Sequence, residues 1–197
     1  MFTLTPKESL VLLTLFKDFT GDYNANSLSK KIGLTSRGTL KILKNLNIQK
    51  LITGKTMGKA IFYKINLEDS YTLKVLETLF ISEAREKASR WLAEFQELFS
   101  ETEMALIFGS AIRSTKEAND IDLLLVFPQK KLSAVQNFIK NKNKILLKPI
   151  HPLIQTPEDL KKNLRKKDPV ILNALRQGYV LHGYEQLIKV VRDVTSI

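Results

Sequence analysis

Two-domain α+β is the fold class that the sequence predicts, and three patterns predict it. Up to about residue 68, short apolar helical runs separated by capping residues end in two strand-like runs. Residues 69–101 then carry an apolar helical pattern that no Pro or Gly interrupts. From Met104 onward strands and helices alternate, which suits a small mixed α/β sheet with flanking helices. The expected division is 1–68 for a first domain, 69–101 for a linking helix and 102–197 for a second domain.

The first domain opens with Thr5-Pro6, an N-cap followed by a residue suited to the first helical position, ahead of KESLVLLTLFKDF. Leu10, Leu13 and Phe16 are expected to share its buried face. NSLSKKIG reads as a short helix ending at Gly33. LTS is a tight turn in which Thr35 or Ser36 caps the next helix, RGTLKILKNLNIQ. Leu40, Leu43 and Leu46, spaced by three, are expected to form its buried stripe. KLITGKTMGKAIFYKIN follows as two strand-like runs around turns at Gly54 and Gly58.

In the linking segment, Leu73, Leu76, Leu79 and Phe80 continue into Ala84, Ala88, Trp91, Leu92, Phe95 and Leu98, giving one long or broken helix. In the second domain ALIFG and IDLLLVF read as strands, KLSAVQNFIKN as a helix and KILLKPIHPLIQ as an extended run. Thr156-Pro157-Glu158-Asp159 joins an N-cap, a Pro and two first-turn acids, a strong helix start. Asp168-Pro169 starts another helix, and YVLHG is a short edge strand before a C-terminal one.

Composition narrows the chemistry. With no cysteine, disulfides, thiolate zinc sites and cysteine nucleophiles are excluded together. Only His151 and His182 are available as imidazoles, so a bound metal must be held largely by carboxylates, which favours Mg²⁺ or Mn²⁺. No apolar run approaches the ~18–20 residues of a membrane span, and no signal peptide is evident, so no membrane partner and a cytoplasmic location are expected. The net charge of +11 points to a polyanionic partner, although a solvated lysine-rich surface explains it equally well. The excess is not confined to one end: residues 1–80 hold 12 Lys+Arg against 6 Asp+Glu, and the remainder 19 against 14.

The order helix, short helix, tight turn, third helix and hairpin resembles a winged helix-turn-helix domain, as found in many prokaryotic transcription regulators. The resemblance rests on SLSKKIGLTSRGTLKILKNLNIQKLI followed by TGKTMGKAIFYKI. It implies double-stranded DNA as a partner, with the third helix in the major groove. With Leu40, Leu43 and Leu46 inward, Ser36, Arg37, Thr39, Lys41, Lys44 and Asn45 are left to face out. Arg37 suits a guanine edge and the lysines suit phosphates, with Lys55 and Lys59 at the wing. The plainer reading is a basic helix in a small bundle that contacts only protein. Winged-helix regulators commonly pair, so a homodimer is expected by analogy.

In the second domain, IFGSAIRSTKEANDIDLLLVF carries the chemistry. On a strand Asp120 and Asp122 point the same way, about 7 Å apart, while Ile121, Leu123, Leu125 and Phe127 share the opposite face. Two like charges side by side on an apolar strand repel, and a divalent cation resolves the conflict. Gly109 at the end of the preceding strand lets backbone approach a phosphate, to which Ser110 and Arg113 can donate. Apart from that chemistry, the same residues read as a charged loop and an acidic strand edge.

Gly109-Ser110, Arg113 and Asp120-Ile121-Asp122 together resemble the signature of the DNA polymerase beta-like nucleotidyltransferase superfamily, most closely the minimal nucleotidyltransferase domain. The resemblance covers about residues 85–195. It implies that Asp120 and Asp122 coordinate Mg²⁺ while Gly109 and Ser110 hold a nucleoside triphosphate. A nucleoside monophosphate would pass to a hydroxyl on an antibiotic, a protein or a nucleic acid end, by charge neutralisation and alignment. Two departures stand out. Ile112-Arg113-Ser114 occupies the place of the family's Ala-Arg-Gly. The third carboxylate expected on a later strand is matched by His151, which can ligate a metal or accept a proton, or is a polar residue tolerated between prolines.

Two functions follow as expectations. One is an active DNA-binding nucleotidyltransferase acting on a macromolecular hydroxyl, whether protein or RNA. The other is a transcriptional regulator or antitoxin-like protein whose nucleotidyltransferase fold serves as nucleotide sensor or partner surface.

Overall fold

The computed structural model describes residues 3–113 and 118–196. The chain divides into two compact units, Met1–Leu79 and Phe80–Ile197, each with its own core. Among the described residues no helix is long and apolar enough to cross a membrane.

The first unit begins with α1 (Pro6–Lys17), closed by a capping box. Thr5 Oγ1 accepts from the Glu8 N–H at 3.3 Å, and Glu8 Oε2 accepts from the Thr5 N–H at 2.9 Å. α2 (Ala25–Ile32) is capped by Asn24 and stopped by Gly33 at φ +68°. α3 (Ser36–Ile48) is capped by Thr35, whose hydroxyl accepts from the Gly38 N–H at 3.2 Å. Two antiparallel strands follow, β1 (Ile52–Met57) and β2 (Ala60–Ile65), joined through Gly58 at φ +61° and Lys59. The core is Val11, Leu12, Leu15, Leu28, Leu43, Leu46, Leu51, Ile52 and Tyr63.

Two stripes differ from the expectation, for one reason. α1 buries Glu8, Val11, Leu12, Leu15 and Phe16 and leaves Leu10 43% exposed. α3 buries Thr39, Leu43 and Leu46, with Ile42 packed beside them, and leaves Leu40 37% exposed. Both follow the i, i+3, i+4, i+7 spacing of a 3.6-residue turn rather than every third position. Gly54 also differs: it is not at a turn but inside β1, opposite Tyr63. There an added Cβ would stand 3.0 Å from Ile61 and 3.1 Å from the Tyr63 ring.

α4 (Ser70–Lys87) crosses the division between the units, with Val75 and Leu79 packed on the first core and Phe80 and Ala84 buried beyond it. The helical segment breaks at Ala88 (φ −134°) before α5 (Ser89–Phe95) and a 3-10 turn at Gln96–Ser100.

In the second unit β3 (Met104–Phe108), β4 (Ile121–Val126), β5 (Ile150–Gln155) and β6 (Tyr179–His182) form one mixed sheet in the order β5-β4-β3-β6. β4 and β5 are parallel, joined through α6 (Leu132–Lys142); β3 is antiparallel to β4 and β6. One face presents Ala105, Ile107, Ile121, Leu123 and Leu125 to Trp91, Phe95, Leu98, Val135 and Ile139. On the other, α7 (Pro157–Arg165) lies against β5, and α8 (Pro169–Gln177) and α9 (Tyr184–Thr195) lie against β3. The expected extended run from Lys144 is strand only from Ile150, and Ile145 and Leu147 before it are 73% and 96% exposed. β5 is an edge strand, which is where a sheet tolerates Pro152.

Candidate functional site

The site forms where β3 ends and β4 and β5 begin. Side-chain alternation puts Asp122 on the face opposite Ile121 and Leu123, and Phe108 of β3 and His151 of β5 stand beside it in register. The parallel pairing brings the imidazole and the carboxylate together: His151 Nδ1 lies 3.3 Å from Asp122 Oδ1. Asp120, immediately before β4, joins them, and one ligand atom from each of the three residues lies within 4.8 Å of the others. Asp122 keeps 20% of its side chain exposed and His151 74%, so the group opens to solvent.

Gly109 is built into the same group. It has φ +78°, a conformation that L side chains rarely adopt, and an added Cβ would overlap Asp122 Oδ2 and stand 2.9 Å from Cγ. Its bare Cα therefore makes the space in which the Asp122 carboxylate sits. Ser110 follows, half-buried, and its carbonyl accepts from the Arg113 N–H at 3.0 Å. Ala111 is buried and Ile112 packs on the core, so the bulk of that side chain turns inward. Arg113 is exposed, and Ser114 lies outside the described residues.

The donor set fits a divalent cation. Two carboxylates and an imidazole converge at a solvent-open strand end, and the oxygen-rich character suits a hard or borderline ion. Beneath the strand end, on the opposite face of β4, a cavity of about 580 Å³ is lined by Trp91, Ile121, Leu146 and Leu147, with Arg90 and Lys148 among its polar residues. Sequence reading missed it, because β4 contributes only Ile121 and the rest of its lining comes from α5 and the loop before β5.

Residues 88–173 match the family model of the nucleotidyltransferase domain. The matched segment contains Gly109, Ser110, Asp120, Asp122 and His151. No curated protein matches the chain. Among solved structures, human N-acetylserotonin methyltransferase in complex with SAM is 12% identical, with 81% of this chain and 41% of that chain covered. The TM-score of 0.30 is too low to carry an argument.

In the first unit the residues expected to meet DNA are distributed unevenly. Arg37, Lys41 and Lys44 are exposed on α3 at spacings of four and three, hence on one side of it. Lys55 is exposed on β1 and Lys59 at the hairpin turn. Ser36 is exposed, but its hydroxyl is engaged by Asn26 Oδ1 at 3.1 Å and Ser29 Oγ at 3.0 Å. Thr39 is a correction: it is fully buried, inside the stripe, and cannot face a ligand. Asn45 is exposed, as expected, although its amide donates to Glu8 Oε1 at 2.6 Å.

Proposed function

We propose that this chain is a metal-dependent nucleotidyltransferase joined to a winged helix-turn-helix that binds duplex DNA, and that it transfers a nucleoside monophosphate to a macromolecular hydroxyl. The observation that carries the reading is the convergence of Asp120, Asp122 and His151 beside Gly109, inside the segment that matches the nucleotidyltransferase family model. Asp120 and Asp122 would hold Mg²⁺ or Mn²⁺, and a bound ion would supply neutralising positive charge for the phosphates. Gly109 and Ser110 receive the triphosphate and Arg113 adds a cationic donor. The acceptor oxygen bonds to the α-phosphorus and the bond from that phosphorus to the bridging oxygen of the β-phosphate breaks. Pyrophosphate leaves, and the hydroxyl proton passes to His151 or to water.

The three helices and the hairpin support the DNA-binding half. In that half α3 enters the major groove with Arg37 near base edges, and Lys41, Lys44, Lys55 and Lys59 meet phosphates. A homodimer would match a two-fold duplex site.

A second reading is favoured by one residue. His151 stands in the register position beside Asp122, where the family resemblance expects a third carboxylate. In that reading the domain binds nucleotide without turnover and the protein is a regulator or antitoxin-like partner.

Incubation with each α-labelled NTP, Mg²⁺ or Mn²⁺ and cell extract separates the two, with Asp120→Asn/Asp122→Asn as control. Label should appear on a macromolecule with the native chain and not with the variant. Transfer that survives the double substitution removes the site assignment. Absence of transfer combined with salt-dependent duplex binding selects the regulator.

A further inference from the structure

We propose that His151 is a metal ligand, not a proton acceptor, and that it sets the Asp120–Asp122 pair to prefer a first-row transition ion such as Mn²⁺ over Mg²⁺. This rests on the nucleotidyltransferase reading of the same site and decides what that reading leaves open.

Backbone and register hold the imidazole at the pair. His151 precedes Pro152, and a residue before proline is driven to extended backbone, which fixes the side to which its side chain projects. The ladder of β4 and β5 sets that side as Asp122's. Packing supplies little of the hold, since the ring is 74% exposed. The other histidine contrasts with it: His182 stacks on Phe99 with centroids 5.1 Å apart, and its burial pushes its pKa down.

The imidazole and the carboxylate stand close enough to serve as neighbouring ligands and are not locked in a short hydrogen bond. Nδ1 and Oδ1 are 3.3 Å apart. A short charge-assisted bond between such groups runs about 2.7–2.9 Å.

The donor atom then decides the ion. Mg²⁺ demands hard oxygen ligands and dehydrates reluctantly, whereas first-row ions accept imidazole nitrogen. Mn²⁺ shares the octahedral, oxygen-rich preference of Mg²⁺ and also takes nitrogen. Exchanging one carboxylate for an imidazole leaves less negative charge for the harder ion and adds a donor that the softer one accepts.

The test uses Mn²⁺ and Mg²⁺ alone, on the full chain and on His151→Asp and Asp120→Asn/Asp122→Asn. Loss of the free Mn²⁺ paramagnetic resonance measures Mn²⁺ binding, and Mg²⁺ competition gives the ratio of the two affinities. Because the chain has two histidines, Mn²⁺ broadening of the ring-proton NMR signals reports on each separately, with His151→Asp assigning them. The expected result is selective broadening of His151 and a Mn²⁺:Mg²⁺ preference that falls about tenfold or more in His151→Asp. An unchanged ratio, or broadening of His151 no greater than that of His182, overturns the inference and leaves the nucleotidyltransferase reading intact. Absence of Mn²⁺ binding, or binding that persists in Asp120→Asn/Asp122→Asn, overturns both.

Discussion

The carboxylate of Asp122 occupies the space where a side chain at residue 109 would stand. Gly109 and Asp122 are thus one unit, linked across the β3–β4 ladder beside the Phe108–Asp122 pair. Gly109→Ala should destabilise the second unit by about 1–3 kcal/mol through its left-handed backbone alone, and should also displace the carboxylate. Thermal unfolding and Mn²⁺ binding should both fall in this variant. Adding Asp122→Ala should recover part of the lost stability and none of the binding, because it removes the overlapping group. Simple additivity of the two substitutions would show that the two residues do not share this space.

The order of elements was legible because it is written in local chemistry. Thr5-Pro6, Thr35, Thr156-Pro157 and Asp168-Pro169 each cap a helix by their own hydrogen bonds, whatever lies around them. Burial was less legible. Counting every third residue selected Leu10 and Leu40, whereas the 3.6-residue turn selects Val11 and Thr39, one position away. At the site, the Gly109-Ser110 and Asp120-Ile121-Asp122 spacing marked two of the three strand ends. The contact of His151 with Asp122 depends on the register of β4 against β5, which no local residue pattern encodes. The tie between Gly109 and Asp122 was hidden likewise, since a glycine's spelling does not say what fills the place of its Cβ.

Thr39 offers a separate test of α3. It is fully buried, and its hydroxyl has no hydrogen-bond partner among the described residues. Thr39→Val keeps the shape and removes the orphaned group, so stability should rise by about 0.5–2 kcal/mol in urea unfolding. Duplex binding should not change. A loss of sequence preference in this variant would mean that the outward face of α3 is misassigned.

The outward face is tested by Arg37 and Lys44, both exposed on α3. In the proposed docking, Lys44→Ala should weaken binding to every duplex and lower the salt slope by about one. Arg37→Ala should cost about 1–3 kcal/mol at preferred sites and relax preference there. Fluorescence anisotropy on a randomised and a selected duplex, across a salt series, reads both. Equal losses on every sequence for both variants would remove α3 from the groove.

Glu8 gives the first unit a defined acid response. Burial by itself would raise its pKa, but hydrogen bonds from the Thr5 backbone, the Thr5 hydroxyl and the Asn45 amide outweigh it and hold the group below its ordinary 4.5. One oxygen caps α1 while the other receives Asn45 of α3 at 2.6 Å, so the charge joins two helices. A carboxylate whose folded pKa is depressed stabilises the fold above its unfolded pKa, and the contribution disappears as pH falls through the folded value. Glu8→Gln should therefore be less stable than the native chain at pH 7, with the gap closing as pH drops below 4.5. Chemical unfolding of the two proteins across that range, followed by circular dichroism, gives the difference directly. A gap that stays constant with pH would mean that the lost hydrogen-bond geometry, and not the charge, accounts for the effect of Glu8.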